Sequence, residues 1–216
     1  MTHTRIKICG ITRPEDAQVA VECGTDAIGL VFYPDSPRAV SVEQAVACTS
    51  MVPPFVSVVA LFVNESATVI RRILSSVPVD VIQFHGDESE AFCAQFDRPY
   101  IKALRVKSTL NIEAESGAYT SARGLLLDTW QDGVPGGTGK TFDWNLAAGE
   151  FKPPIVLAGG LKPGNVSAAI EQVRPAAVDV SGGVESEPGI KSPKLIREFI
   201  AAVRAADQSL QGKNHD

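Results

Sequence analysis

The chain has 216 residues, 44% hydrophobic and 21% charged, with a formal net charge of −5. This composition excludes a disordered chain, and the mild acidity without any Lys/Arg block excludes a general nucleic-acid surface, while leaving room for a local anion site. The four cysteines, Cys9, Cys23, Cys48 and Cys93, form no C-x-x-C pair and stand at no metal-ligand spacing from a histidine, so free thiols, a reducing cytoplasm and no metal are expected.

The opening stretch "MTHTRIKICG" lacks the apolar core of a signal peptide, and no apolar run is long enough for a membrane span. "RIKICGI" (5–11) reads as a first strand. A helix follows, with Thr12 as its N-cap, Pro14 in its first turn and Gly24 beyond its end. The strand "DAIGLVF" (26–32) precedes a helix capped by Ser41. The strand "VSVVALFV" (56–63) precedes one with Val69, Ile70, Ile73, Leu74 and Val77 on a single stripe. "VDVIQFH" (79–85) leads to "SEAFCAQF", and "YIKALRV" (100–106) leads to a weakly patterned segment read as a short or irregular helix. "GLLLDT" (124–129) is followed by a glycine-rich loop and the short segment "FDWNLAAGEF". "PIVLAG" (154–159) and "AAVDVSG" (176–182) complete the strands, with helices at "NVSAAIEQV" and "SPKLIREFIAAVRAA".

Apolar runs this short and this rich in Val, Ile and Leu mark strands buried on both faces. Alternation with helices implies parallel strands joined by right-handed crossovers. An open doubly wound sheet and a closed barrel both satisfy that pattern. The count of eight favours a single-domain (β/α)₈ TIM barrel, expected over residues 1–206 with a polar tail from 207 to 216.

Barrels of this kind place their chemistry at the C-terminal ends of the strands. Paired glycines end the last two strands, Gly159-Gly160 and Ser181-Gly182-Gly183. Their backbone N–H groups form a candidate phosphate site, with "EPGIKS" as a candidate extra helical turn. Cys9 closes the first strand and is either a small core residue or a reactive thiol; Lys7, on the same face, would favour its thiolate. Asp128 ends the sixth strand, where poor solvation favours a neutral acid; a turn or cap role is the alternative. Asp179 lies inside a strand and could orient a ligand or pair with Lys7. His85 reads equally as a general base or as a brace for the strand end. Arg38, in the loop "YPDSPRAV", could clamp a carboxylate.

The loop "VPGGTGKT" (134–141) imitates a nucleotide cradle. The pattern G-x-x-x-x-G-K-[ST] needs glycine at 134, which is Val134, and Gly133 stands one position too early. A lid over the site beside Asp128 is the expectation instead.

Taken together, "KICGIT", "GLVFYPDSPRAV", "IQFHG", "LLLDT", "GGTGKTFDW", "LAGGLKPGNV" and "VDVSGGVESEPGIKS" resemble the phosphoribosylanthranilate isomerase family, from end to end and in order. The resemblance implies a cofactor-free Amadori rearrangement of a phosphosugar in tryptophan biosynthesis, with Cys9 as general base, Asp128 as general acid and Arg38 near the anthranilate. It also implies a cytoplasmic enzyme, a monomer or weak homodimer, with no nucleic-acid or membrane partner. An epimerase reading fares worse, since only His3, His85 and His215 are present for a metal cluster. A non-catalytic phosphate-binding module is disfavoured by titratable groups at two strand ends.

Overall fold

The computed structural model describes residues 3–106, 111–129, 143–147 and 151–212. Eight parallel strands close into a barrel in chain order. They are β1 (Arg5–Cys9), β2 (Ala27–Val31), β3 (Ser57–Phe62), β4 (Val81–Phe84), β5 (Tyr100–Val106), β6 (Gly124–Thr129), β7 (Ile155–Leu157) and β8 (Ala177–Val180). The seam is β1 against β8, in a register that pairs Lys7 with Asp179.

The alternation of side chains along each strand divides inside from outside. On β1, Ile6 and Ile8 join the large apolar layer shared with the helices, while Lys7 and Cys9 take the other face. On β6, Leu125 and Leu127 join that outer layer, and Leu126 and Asp128 turn inward. The interior holds two small apolar clusters, Ala103–Leu126–Val156–Ala158 and Cys9–Val31–Leu61. Lys7 donates to both Gln83 and Asp179 in the same interior.

Seven α-helices are described: α1 (Pro14–Glu22), α2 (Val42–Thr49), α3 (Ala67–Ser76), α4 (Glu90–Cys93), α5 (Ile112–Ala118), α6 (Val166–Val173) and α7 (Pro193–Gly212). Between β6 and β7 the described residues form only a 3₁₀ turn, Trp144–Ala147. Ser41 caps α2 with a full capping box, its side chain accepting from Gln44 N–H while Gln44 reaches back. Ile70 and Ile73 are the buried stripe of α3, as its periodicity requires.

Three local expectations are corrected. Thr12 does not cap α1: the N-cap is Arg13, without a side-chain bond, and Thr12 Oγ1 donates instead to the Gly189 carbonyl at 2.6 Å. The segment "EPGIKS" forms no helix. The helical turn lies earlier, at Gly182–Val184, and an antiparallel hairpin of β9 (Glu185–Glu187) and β10 (Ile190–Lys191) follows it. The polar tail does not begin at 207, because α7 continues to Gly212. Asp207 is buried, and its carboxylate accepts Thr4 N–H at 2.9 Å and Thr4 Oγ1–H at 2.7 Å.

Candidate active site

A pocket opens at the C-terminal ends of the strands and gathers the residues singled out from the sequence. Cys9, His85, Asp128 and Asp179 lie in its wall, from β1, the end of β4, β6 and β8. Gly159, Gly160, Ser181, Gly182 and Gly183 line it from the loops after β7 and β8, and Arg38 reaches it from the loop after β2. Lys7 lies beneath, buried and bonded to Asp179.

Lys7 Nζ donates to Asp179 Oδ2 and to Gln83 Oε1, each at 2.9 Å. Burial disfavours the ammonium, yet the Asp179 carboxylate and the neighbouring Cys9 outweigh it and lift Lys7 to about 12. Lys7 is therefore a permanent cation at neutral pH. Its effect on Cys9 is smaller than the sequence implied. Burial pushes the Cys9 thiol up, Lys7 offsets only part of that, and Asp179 adds to it. Lys7 thus favours the thiolate, as expected, but desolvation is the larger effect and holds the thiol above its ordinary range.

Asp128 is held by Thr129 N–H, which donates to Oδ1 at 2.8 Å. Its Oδ2 stands 3.2 Å from His85 Nε2. His85 Nδ1 is 3.1 Å from Gln83 Nε2. His85 thus bonds its neighbours at the strand end, as the brace reading expects, and its Nε2 faces Asp128. Two polar atoms in this wall are buried without a hydrogen-bond partner among the described residues: Asp179 Oδ1 and His85 Nε2. Buried polar atoms are rarely left so; His85 Nε2 faces Asp128 Oδ2, and a ligand in the pocket is the natural partner for Asp179 Oδ1.

The glycine pairs are required by their surroundings. Gly159 and Gly160 have φ of 80° and 65°, the left-handed region, and Asn165 Nδ2 holds the turn by donating to the Gly160 carbonyl at 3.0 Å. A Cβ on Gly183 would be driven into the carbonyl of Leu161, so the loops after β7 and β8 touch backbone to backbone. The amides of Gly182 and Gly183 lie in the first turn of their helical segment, where N–H groups have no partner within the helix.

Arg38 makes a bidentate pair with Glu185, Nε to Oε1 at 2.8 Å and Nη2 to Oε2 at 2.7 Å. Lys191 Nζ, fully buried, donates to the same carboxylate at 2.7 Å and to the Ser181 carbonyl at 3.2 Å. Burial works against an ionised Glu185, but Arg38 and Lys191 together outweigh it and hold its carboxyl below the usual range. This triad ties the loop after β2 to the hairpin after β8. Glu185, Lys191 and Gln83 were not singled out from the sequence. A charged residue in a loop and a glutamine within a strand carry no local signal of the partners that occupy them. The loop 130–141, expected to form a lid, lies outside the described residues.

No group of three or more His, Cys, Asp or Glu side chains among the described residues is arranged to hold a metal ion. No helix among them is long and apolar enough to cross a membrane.

The family model for N-(5'-phosphoribosyl)anthranilate (PRA) isomerase matches residues 6–202. The chain belongs to the PRA isomerase family. A family relative from Pseudomonas fluorescens Pf-5, named N-(5'-phosphoribosyl)anthranilate isomerase, is 58% identical over 210 residues, covering 97% of this chain and 100% of the relative. The PRA isomerase crystal structure from Thermotoga maritima superposes with a TM-score of 0.86 at 42% identity, covering 94% of this chain and 99% of the other. A PRA isomerase solved in complex with reduced 1-(o-carboxyphenylamino)-1-deoxyribulose 5-phosphate gives a TM-score of 0.81 at 40% identity, with the same coverage.

Proposed function

We propose that this chain converts N-(5'-phosphoribosyl)anthranilate into 1-(2-carboxyphenylamino)-1-deoxyribulose 5-phosphate, the isomerisation step of tryptophan biosynthesis, with Asp128 as general acid and Cys9 as general base. The observation that carries this reading is the single pocket that holds Asp128 and Cys9 together with two unpartnered polar atoms and a glycine-lined end.

The chemistry follows from the substrate. Asp128 gives a proton to the furanose ring oxygen, the C1–O bond breaks, and the anthranilate nitrogen forms an iminium with C1. Cys9 removes the proton on C2, which the iminium has acidified. The resulting enolamine tautomerises to the ketone, so electrons are redistributed within one molecule and no redox cofactor is required. Burial favours the protonated thiol, but a cationic iminium beside it adds a second positive neighbour to Lys7 and favours the thiolate.

The phosphate docks on the amides of Gly159, Gly160, Gly182 and Gly183 beside Ser181. Arg38 faces the anthranilate carboxylate. Asp179 Oδ1 takes a sugar hydroxyl as its missing partner. A cytoplasmic location accords with four free cysteines. A monomer or weak homodimer remains our reading of assembly, with Phe55 fully exposed as the candidate contact.

The test is fluorescence-monitored turnover of N-(5'-phosphoribosyl)anthranilate by the purified protein. Absence of turnover, or near-normal kcat in both Cys9→Ala and Asp128→Ala, would sink the assignment.

A further inference from the structure

Gln83 is completely buried inside the barrel, on β4, between the two halves of the site. Its amide touches Lys7 at one end and His85 at the other, at 2.9 Å and 3.1 Å. A primary amide is nearly symmetric in shape, so its orientation must come from its partners. Here the partners decide it. An ammonium can only donate, and Asp179 keeps Lys7 an ammonium. The amide oxygen must therefore face Lys7, and the amide nitrogen must face His85. Two donors cannot meet, so His85 Nδ1 has to be the acceptor, without a proton. A neutral imidazole then carries its one proton on Nε2. That nitrogen stands 3.2 Å from Asp128 Oδ2 and is otherwise unpartnered.

We propose that Gln83 is a positioning residue that locks His85 into the tautomer with its proton on Nε2, aimed at Asp128, and so ties the acid side of the site to the Lys7–Asp179 pair. This rests on the reading of Asp128 as general acid. The lock matters because of what the other tautomer does. An Nε2 lone pair facing Asp128 would compete for the very proton that the ring oxygen needs. An Nε2–H cannot accept it. After Asp128 has given its proton away, the same N–H donates to the carboxylate left behind. Flipping the amide would set its NH₂ against the Lys7 ammonium, and that repulsion keeps the chain Asp179–Lys7–Gln83–His85–Asp128 in one sense.

The test uses Gln83→Glu and Gln83→Met. A carboxylate at this position accepts from both Lys7 and Nδ1–H and so moves the ring proton to Nδ1; a thioether removes the preference. Long-range ¹H–¹⁵N NMR on protein labelled with ¹⁵N-histidine reads the tautomer directly. The chain has only three histidines, and a His85→Gln control assigns the signal. The expected result is an Nε2–H tautomer in the wild type and an Nδ1–H or doubly protonated ring in Gln83→Glu. Turnover by Gln83→Glu should fall in kcat by about a hundredfold with KM little changed, because the defect lies in proton transfer rather than binding. Gln83→Met should fall between. An Nδ1–H tautomer in the wild type overturns the proposal, as does an unchanged tautomer in Gln83→Glu or a moved tautomer with unchanged kcat. Should Gln83→Glu fail to fold, the wild-type spectrum and Gln83→Met decide. Should the wild type not turn over the substrate, the functional reading fails, and the tautomer then decides the Gln83 assignment alone.

Discussion

Lys7 and Asp179 face each other across the seam of the barrel, 2.9 Å apart, with side chains only 5% and 7% exposed. Each neutralises the other where water cannot. Lys7→Met would leave Asp179 as a buried, unpaired charge, which costs about 3–5 kcal/mol in such settings. Urea denaturation should show that loss. The folded Lys7, at about 12, holds its proton more tightly than a free lysine near 10.5. The stability from this pair is therefore complete below pH 10.5 and is lost as pH climbs through 12; wild type minus Lys7→Met, measured against pH, should trace that window.

The same pair sets the reactivity of the neighbouring thiol. Lys7 pulls the Cys9 thiol down against the larger effect of burial, and Asp179 pushes it up in the same direction as burial. Asp179→Asn should therefore speed alkylation of Cys9 by iodoacetamide, and Lys7→Met should slow it. Rates compared with those of Cys9→Ala, which fixes the background from Cys23, Cys48 and Cys93, provide the check.

Asp128→Asn removes the proton donor while keeping the bond from Thr129 N–H available to an amide oxygen. A loss of about 10²–10⁴ in kcat is expected, with KM little affected. Cys9→Ala should fall in the same range. The double variant should lose less than the product of the two, since both act in one proton-transfer sequence.

Gly183→Ala places a methyl where the Leu161 carbonyl already stands. The loops after β7 and β8 must separate to admit it. Affinity for inorganic phosphate, measured by calorimetry, should fall by at least tenfold, while the alkylation rate of Cys9 stays near normal. Equal loss at both would show that the whole rim had moved.

Asp207 joins the last helix to the first strand through two bonds from Thr4. Asp207→Ala leaves two buried donors without their acceptor, a loss of about 2–4 kcal/mol at 1–2 for each, which a urea titration would register. Full stability in that variant would show that the end of α7 is dispensable.

The barrel could be read from the sequence because a strand buried on both faces leaves an unbroken apolar run, and all eight runs became strands. The rim residues were legible for a topological reason: the inward-facing residues near the C-terminal ends of barrel strands, such as Cys9, His85, Asp128 and Asp179, line the pocket, while Phe62 and Leu157 at other strand ends turn outward into the core. Contacts made by distant parts of the chain left no such trace. Thr12 has the chemistry of a cap, but the Gly189 carbonyl competes for its hydroxyl from 177 residues away. Asp207 looks like one more polar residue in a fraying end until Thr4 is placed beside it. Gln83 breaks the apolar run "VIQFH" by a single residue, and nothing nearby reveals that it links Lys7 to His85. Glu185 is separated from Arg38 by 147 residues, and only the closed ring brings the two together.

The seam has a kinetic meaning. Lys7 belongs to β1, which is made before the other barrel strands, and its counter-charge arrives 172 residues later. Contacts so far apart in sequence are slow to form. Until β8 docks, the inner face of the growing sheet carries an amine with no carboxylate opposite it, and such a face resists premature drying. Charge pairing and ring closure are then one event, and the last strand to arrive both completes the sheet and makes its interior fit to exclude water.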